Sequence, residues 1–135
     1  MSGEKSISAL LRGMSPILNE GDFVFCTVAH ATALQGTDVL GTFREKEGLT
    51  AIIERERADA LGLEYNFVAA WITLTIHSAL DAVGLTAAFA TALGKAGISC
   101  NVIAAFYHDH IFVAKDDAAK AMDVLQALSR AGESS

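Results

Sequence analysis

The chain has 135 residues, with 10 Lys and Arg against 16 Asp and Glu, a net charge of −6. Hydrophobic residues make up 52% and charged residues 19%, which excludes a disordered tail. A sequence pI of about 5.0 excludes a strongly basic nucleic-acid binder, because phosphate contacts need clustered Lys and Arg.

Mean hydropathy is +0.37, which raises the question of a membrane. The longest stretch free of Asp, Glu, Lys and Arg is residues 65–80, and His77 interrupts it. A spanning helix needs about 18 or more consecutive apolar residues. No membrane span is therefore expected, and the apolar surplus belongs in a core or an interface. Residues 1–5 are polar, and the apolar stretch 7–11 is too short for a signal peptide. Cys26 and Cys100 sit in strand-like apolar runs and read as buried thiols in a reducing compartment. The expected location is the cytoplasm.

In chain order, residues 6–14 have helical spacing, with Ile7, Leu10 and Leu11 on one side and Pro16 limiting extension. Residues 22–29 are aromatic and β-branched, follow the turn signal Asn19-Glu20-Gly21, and predict a strand. Residues 31–37 read as a loop. Residues 39–44 and 49–54 predict two strands joined by the turn Glu45-Lys46-Glu47-Gly48. Residues 55–61 predict a short helix ended by Gly62. Residues 67–77 form a long β-rich run in which Trp71, Thr73 and Thr75 alternate with Ile72, Leu74 and Ile76. That pattern suits a strand central in a sheet. Residues 78–84 read as a loop. Leu85, Ala88, Phe89, Ala92, Leu93 and Ala96 recur at three and four, predicting a helix over 85–96 that Gly97 ends. Residues 99–106 and 111–114 predict strands around His108-Asp109-His110. Residues 116–130 predict an amphipathic helix with Ala118, Met122, Leu125 and Leu128 as its buried stripe.

Residues 49–61 and 111–122 share one order, a strand, then charges, then a short helix. This is a faint internal repeat. Two βαββαβ units explain it. The first unit then lacks its crossover helix, and the second shows no clear last strand.

Thr73 to Thr86, followed by Leu93 to Ile103, resembles an ACT domain. Phe23-Val24-Phe25, Glu45 to Thr50 and Tyr107-His108-Asp109-His110 are similar to motifs of small stand-alone tandem-ACT proteins of unknown function. The resemblance spans about residues 16–128, and extends to the regulatory ACT units of aspartokinases. It implies an α+β fold of tandem ferredoxin-like units, with an antiparallel sheet and helices packed on one face. The implied division is 1–64, a degenerate N-terminal half, and 65–135, a complete C-terminal unit. ACT domains bind amino acids at the strand-to-helix loop, across a domain interface. Carried onto this sequence, the implied ligand contacts are Ser78, Asp81, Val83, Gly84, Leu85 and Thr86, with Asn101, Val102 and Ile103 on the next strand. Physical chemistry agrees, because a turn entering a helix presents unpaired N–H groups and a positive dipole end to a carboxylate. Asp81 would then meet an ammonium group. The first half has no counterpart of the Val83–Thr86 loop, so one ligand loop per chain is expected.

Other constellations have plainer readings. His108-Asp109-His110, with His77, offers a conceivable zinc set. A polar hairpin tip explains the same residues, and an intermediate reading has His108 or His110 lining a cleft. Glu45 and Glu47 suit a solvated tip. Ser78, His77 and Asp81 are too close in sequence for ordinary triad geometry. Cys100 reads as core, and Trp71 as core or interface. The expectation is a non-catalytic sensing module with no cofactor and no resident metal. It would bind a small molecule, an amino acid by resemblance, and form a homodimer, without nucleic-acid or membrane partners. A module that acts only through protein–protein assembly is the alternative.

Overall fold

The computed structural model describes residues 13–34, 36–75 and 83–134. The contacts divide the chain into two compact units, residues 20–70 and a second built from the N-terminal segment to Asn19 with residues from Trp71 onward.

The unit of residues 20–70 contains β2 (Phe23–Val28), β3 (Gly41–Arg44), β4 (Leu49–Glu54), a helix α1 (Arg55–Ala60) and the start of β5 (Val68–Thr75). Its strand order is β3-β4-β2-β5, antiparallel throughout. Numbered within the unit, this is second, third, first, fourth, which is the ferredoxin-like arrangement. The crossover helix is reduced to a single 3-10 turn, Ala31–Leu34. That matches the expected loss of a helix there, because Ala29 to Gly41 is short and poor in helix signals. Register pairs Val24 with Ile53 and Cys26 with Ala51, so these residues share a face. They pack with Val28, Leu34 and Ala58 of α1 into the unit's core. The backbone N–H of Arg55 bonds to the Asp22 carbonyl at 2.9 Å. Its side-chain Nε donates to the Tyr65 hydroxyl at 3.0 Å, which donates to Asp59 at 2.7 Å. These bonds hold a helix too short to be stable alone.

The second unit contains β1 (Ser15–Leu18), most of β5, α2 (Val83–Lys95), β6 (Cys100–Ala104), β7 (Asp109–Ala114) and α3 (Ala118–Ser134). Its order is β1-β5-β7-β6. The missing last strand of this unit is therefore β1, from the opposite end of the chain. It pairs antiparallel with β5 from Ser15↔Thr75 to Leu18↔Ile72. Pro16 is tolerated because β1 lies at an edge, where a missing N–H costs no ladder bond. The expected boundary at 64/65 falls between α1 and β5, whereas the compact units meet at 19/20 and 70/71.

Both halves of the sequence repeat are strand then helix: β4 with α1, and β7 with α3. A 3-10 turn, Lys115–Asp117, leads into α3. Leu85, Phe89 and Leu93 of α2, and Ala121 and Leu125 of α3, are fully buried, as are Ile72, Leu74, Ile111 and Val113 of the sheet. Burying each Leu, Ile, Val or Phe among them contributes about 1.5–3 kcal/mol. Gly97 ends α2 with φ +77°, and the Ile98 N–H returns to the Leu93 carbonyl at 2.9 Å. The fold is α+β, of tandem ferredoxin-like units with helices on one face of antiparallel sheet. Most of the predicted helix over 6–14 lies outside the described residues. No described helix is long and apolar enough to cross a membrane.

Candidate functional site

The expected ligand contacts fall on two elements of the second unit. Val83, Gly84, Leu85 and Thr86 form the first turn of α2. Gly84 and Thr86 are exposed, while the Leu85 side chain is fully buried in the core. Asn101, Val102 and Ile103 lie on β6, one helix further along the chain. Register with β7 separates them: Val102 faces with Ile111, whereas Asn101 and Ile103 face with Phe112 and His110. Ser78 and Asp81 lie outside the described residues, as does His77.

A second polar constellation lies on β5 and β7, on the side of β5 opposite Ile72 and Leu74. The indole Nε1–H of Trp71 donates to His110 Nδ1 at 3.0 Å. An indole N–H is a donor only, so this Nδ1 is an acceptor and the neutral ring carries its proton on Nε2. The Thr73 hydroxyl stands 3.1 Å from the same Nδ1. Its oxygen accepts from Asn19 Nδ2 at 2.9 Å, which leaves the hydroxyl proton for His110. Asn19 Nδ2 also donates to the Trp71 carbonyl at 3.2 Å. Thr73 is only 8% exposed, so this network satisfies a buried hydroxyl. Burial first, then the neighbouring His108, pushes the His110 pKa below the usual imidazole range, and Asp109 opposes both.

Trp71, read from sequence as core or interface, is thus half-buried and hydrogen-bonded. Neither Asn19 nor Thr73 stood out in the sequence. The available signal was the polar Thr73 in the same alternating set as Trp71, within an otherwise apolar strand. The His108 and His110 rings stand 6.5 Å apart, centre to centre. The Nδ1 of His108 is buried without a hydrogen-bond partner among the described residues. Among those residues, no three His, Cys, Asp or Glu converge as a metal site. Cys26 is buried, whereas Cys100 is only half-buried, less enclosed than expected. Burial raises the pKa of both thiols.

The turn from β3 to β4 and the turn from β6 to β7 occupy equivalent places in their units. In the first, the Glu45 N–H bonds to the Gly48 carbonyl at 2.9 Å, and the Thr50 hydroxyl bonds to Glu45. In the second, the Ala105 N–H bonds to the His108 carbonyl at 3.0 Å. One tip reads Glu-Lys-Glu-Gly and the other Ala-Phe-Tyr-His.

An ACT-domain family model matches residues 2–70, and a second ACT-domain model matches residues 66–127. Among solved structures, a Vibrio cholerae protein described as of unknown function, possible transport protein, is 52% identical with a TM-score of 0.87. The alignment covers 95% of this chain and 99% of that one. An Agrobacterium tumefaciens protein is 18% identical with a TM-score of 0.66, over 86% of this chain and 89% of that one. The regulatory subunit of aspartate kinase from Thermus flavus is 10% identical with a TM-score of 0.61, over 85% and 95%. Comparison with proteins of curated function finds no match.

Proposed function

The chain belongs to the ACT-domain family, and from that premise we propose that it is a regulatory module that senses a small molecule, an amino acid, without catalysing a reaction. The observation that carries the reading is the first turn of α2. Gly84 and Thr86 are exposed there, in the position the family uses for ligands, on a helix anchored by the buried Leu85. Amides of this turn would hold a carboxylate, favoured by the positive end of the helix dipole. Since the Leu85 side chain serves the core, its contribution would come from the backbone. Ser78 and Asp81 would complete the loop, with Asp81 meeting the ammonium group. Asn101, Val102 and Ile103 would come from a neighbouring copy in a homodimer, so that ligand and assembly are coupled. Ligand binding then changes the balance between two arrangements by differential affinity, and no bond is made or broken. The cytoplasm is the proposed location, in keeping with two free cysteines.

The test is a thermal-shift screen against the common amino acids at millimolar concentration. A ligand at 100 times its Kd stabilises by about 2.7 kcal/mol, a shift of several degrees for a domain of this size. The reading expects a saturable shift from at least one amino acid, lost in Gly84→Asp. A flat response to all of them removes it. The competing reading is a module that only assembles. Exposed aromatic residues at the β6–β7 tip favour it, and a dimer indifferent to every amino acid would establish it.

A further inference from the structure

Five rings of the second unit form an unbroken run. Trp71 and His110 stand 5.8 Å apart between ring centres, His110 and His108 6.5 Å, His108 and Tyr107 6.5 Å, and Tyr107 and Phe106 4.9 Å. The outer end of the run is in solvent, with Phe106 91% and Tyr107 79% exposed. The turn itself does not call for these two rings. The equivalent tip in the other unit closes through the same kind of backbone bond, with Lys46 and Glu47 in the corresponding places.

The imidazoles inside the run have hydrogen-bonding capacity to spare. Trp71 donates to His110 Nδ1, so the neutral ring offers Nε2–H, and no described residue accepts from it. That tautomer also leaves Nε2 without a lone pair for a metal ion. The Nδ1 of His108, the next ring along, is buried without a partner among the described residues. A hydroxyl satisfies either protonation of that nitrogen, because it both donates and accepts. A hydroxyl oxygen equally accepts from His110 Nε2–H.

Charge narrows the ligand further. β1, β5, β6 and β7 together hold a single charged residue, Asp109, and its charge acts on the His110 ring. An anion would meet that carboxylate with no Lys or Arg on these strands to offset it. An ammonium group has no lone pair for the His110 N–H. What fits is a neutral molecule with hydroxyls for the imidazoles and C–H faces for the exposed rings.

We propose that the run of rings from Trp71 to Phe106 is a binding site for a neutral saccharide. The site is separate from the first turn of α2 and does not depend on the amino-acid reading. Sugar hydroxyls bond to His110 Nε2–H and His108 Nδ1, and the apolar face of the sugar ring covers Tyr107 and Phe106.

The test titrates the protein at neutral pH with glucose, galactose, mannose, maltose and cellobiose at millimolar concentration. Glucuronate and galacturonate serve as anionic counterparts. Trp71, the sole tryptophan, is bonded to His110 and reports through its fluorescence, with isothermal titration alongside. The proposal expects a saturable response to at least one neutral sugar, and at least tenfold weaker binding of the uronates. Proton NMR should show the His108 and His110 ring signals shifting with the same saturation. Tyr107→Ala and Phe106→Ala, both at exposed positions and shown to fold by circular dichroism, should each weaken binding at least tenfold. No response to any neutral sugar overturns the proposal and leaves an ordered water as the partner of His108. Uronates that bind as tightly overturn its neutral character. Unchanged affinity in the folded variants, or unmoved imidazole signals at saturation, overturns its location. Zinc bound stoichiometrically by both imidazoles overturns the tautomer on which the site is built.

Discussion

Replacing Thr73 by Val removes one buried hydroxyl and almost no volume. The change breaks the bond from Asn19 Nδ2 at 2.9 Å and the contact with His110 Nδ1 at 3.1 Å. Neither partner is orphaned, because Asn19 keeps the Trp71 carbonyl and His110 keeps the Trp71 indole. The cost is therefore that of two ordinary hydrogen bonds, about 0.5–1.5 kcal/mol each, without a desolvation penalty. The added methyl returns about 0.8 kcal/mol, so a net loss of about 0.2–2.2 kcal/mol is expected. Trp71 is the sole tryptophan and reports on this group directly. Urea unfolding followed by its fluorescence should show a lower midpoint at unchanged slope. His110, with one donor fewer on Nδ1, should titrate closer to the ordinary imidazole value in an NMR titration. Unchanged or raised stability, together with an unmoved His110 titration, would refute the hydrogen-bond assignment.

Three further outcomes follow from the structure. Because the folded pKa of His110 lies below its unfolded value of about 6.5, its contribution to stability is complete above that pH. It is lost as pH falls through the folded pKa, and His110→Thr should flatten the slope of unfolding free energy against pH in that window. Gly48→Ala places a Cβ 2.9 Å from Thr27 Oγ1 and 3.1 Å from the Val28 carbonyl oxygen, so chemical denaturation should show a loss of about 1–3 kcal/mol. Leu125→Ala, at a fully buried site of α3, should cost about 2–5 kcal/mol in the same assay, and a loss below 1 kcal/mol would contradict its place in the core.

Where local chemistry is strong, the elements were legible. Residues 49–54 include the β-branched Thr50, Ile52 and Ile53, Gly48 marks their start, and β4 occupies those positions. Leu85, Phe89 and Leu93 announce α2 because their spacing matches the helical turn. β1 left no such mark. Four residues containing Pro16 carry no periodicity, and their strand exists only through pairing with residues 72–75 of β5. The unit that appeared to lack its last strand borrows it from the far end of the chain, an exchange no local signal encodes. The same holds for the group around His110, in which Asn19 and His110 itself come to Trp71 and Thr73 from distant parts of the chain. Of the candidate ligand residues, Val83 and Gly84, expected at the end of the loop, lie in the first turn of α2, which begins two residues before the expected start at Leu85. The sequence did not show that β6 divides Val102 from Asn101 and Ile103, because that depends on register with β7.

The central claim is that this ACT-family chain senses an amino acid through the first turn of α2. Isothermal titration of wild type and Gly84→Asp with each common amino acid tests it most directly. The account predicts saturable heat for at least one amino acid with wild type, and at least a tenfold loss of affinity in the folded Gly84→Asp protein. No heat with any amino acid, or an affinity unchanged by Gly84→Asp, would contradict it.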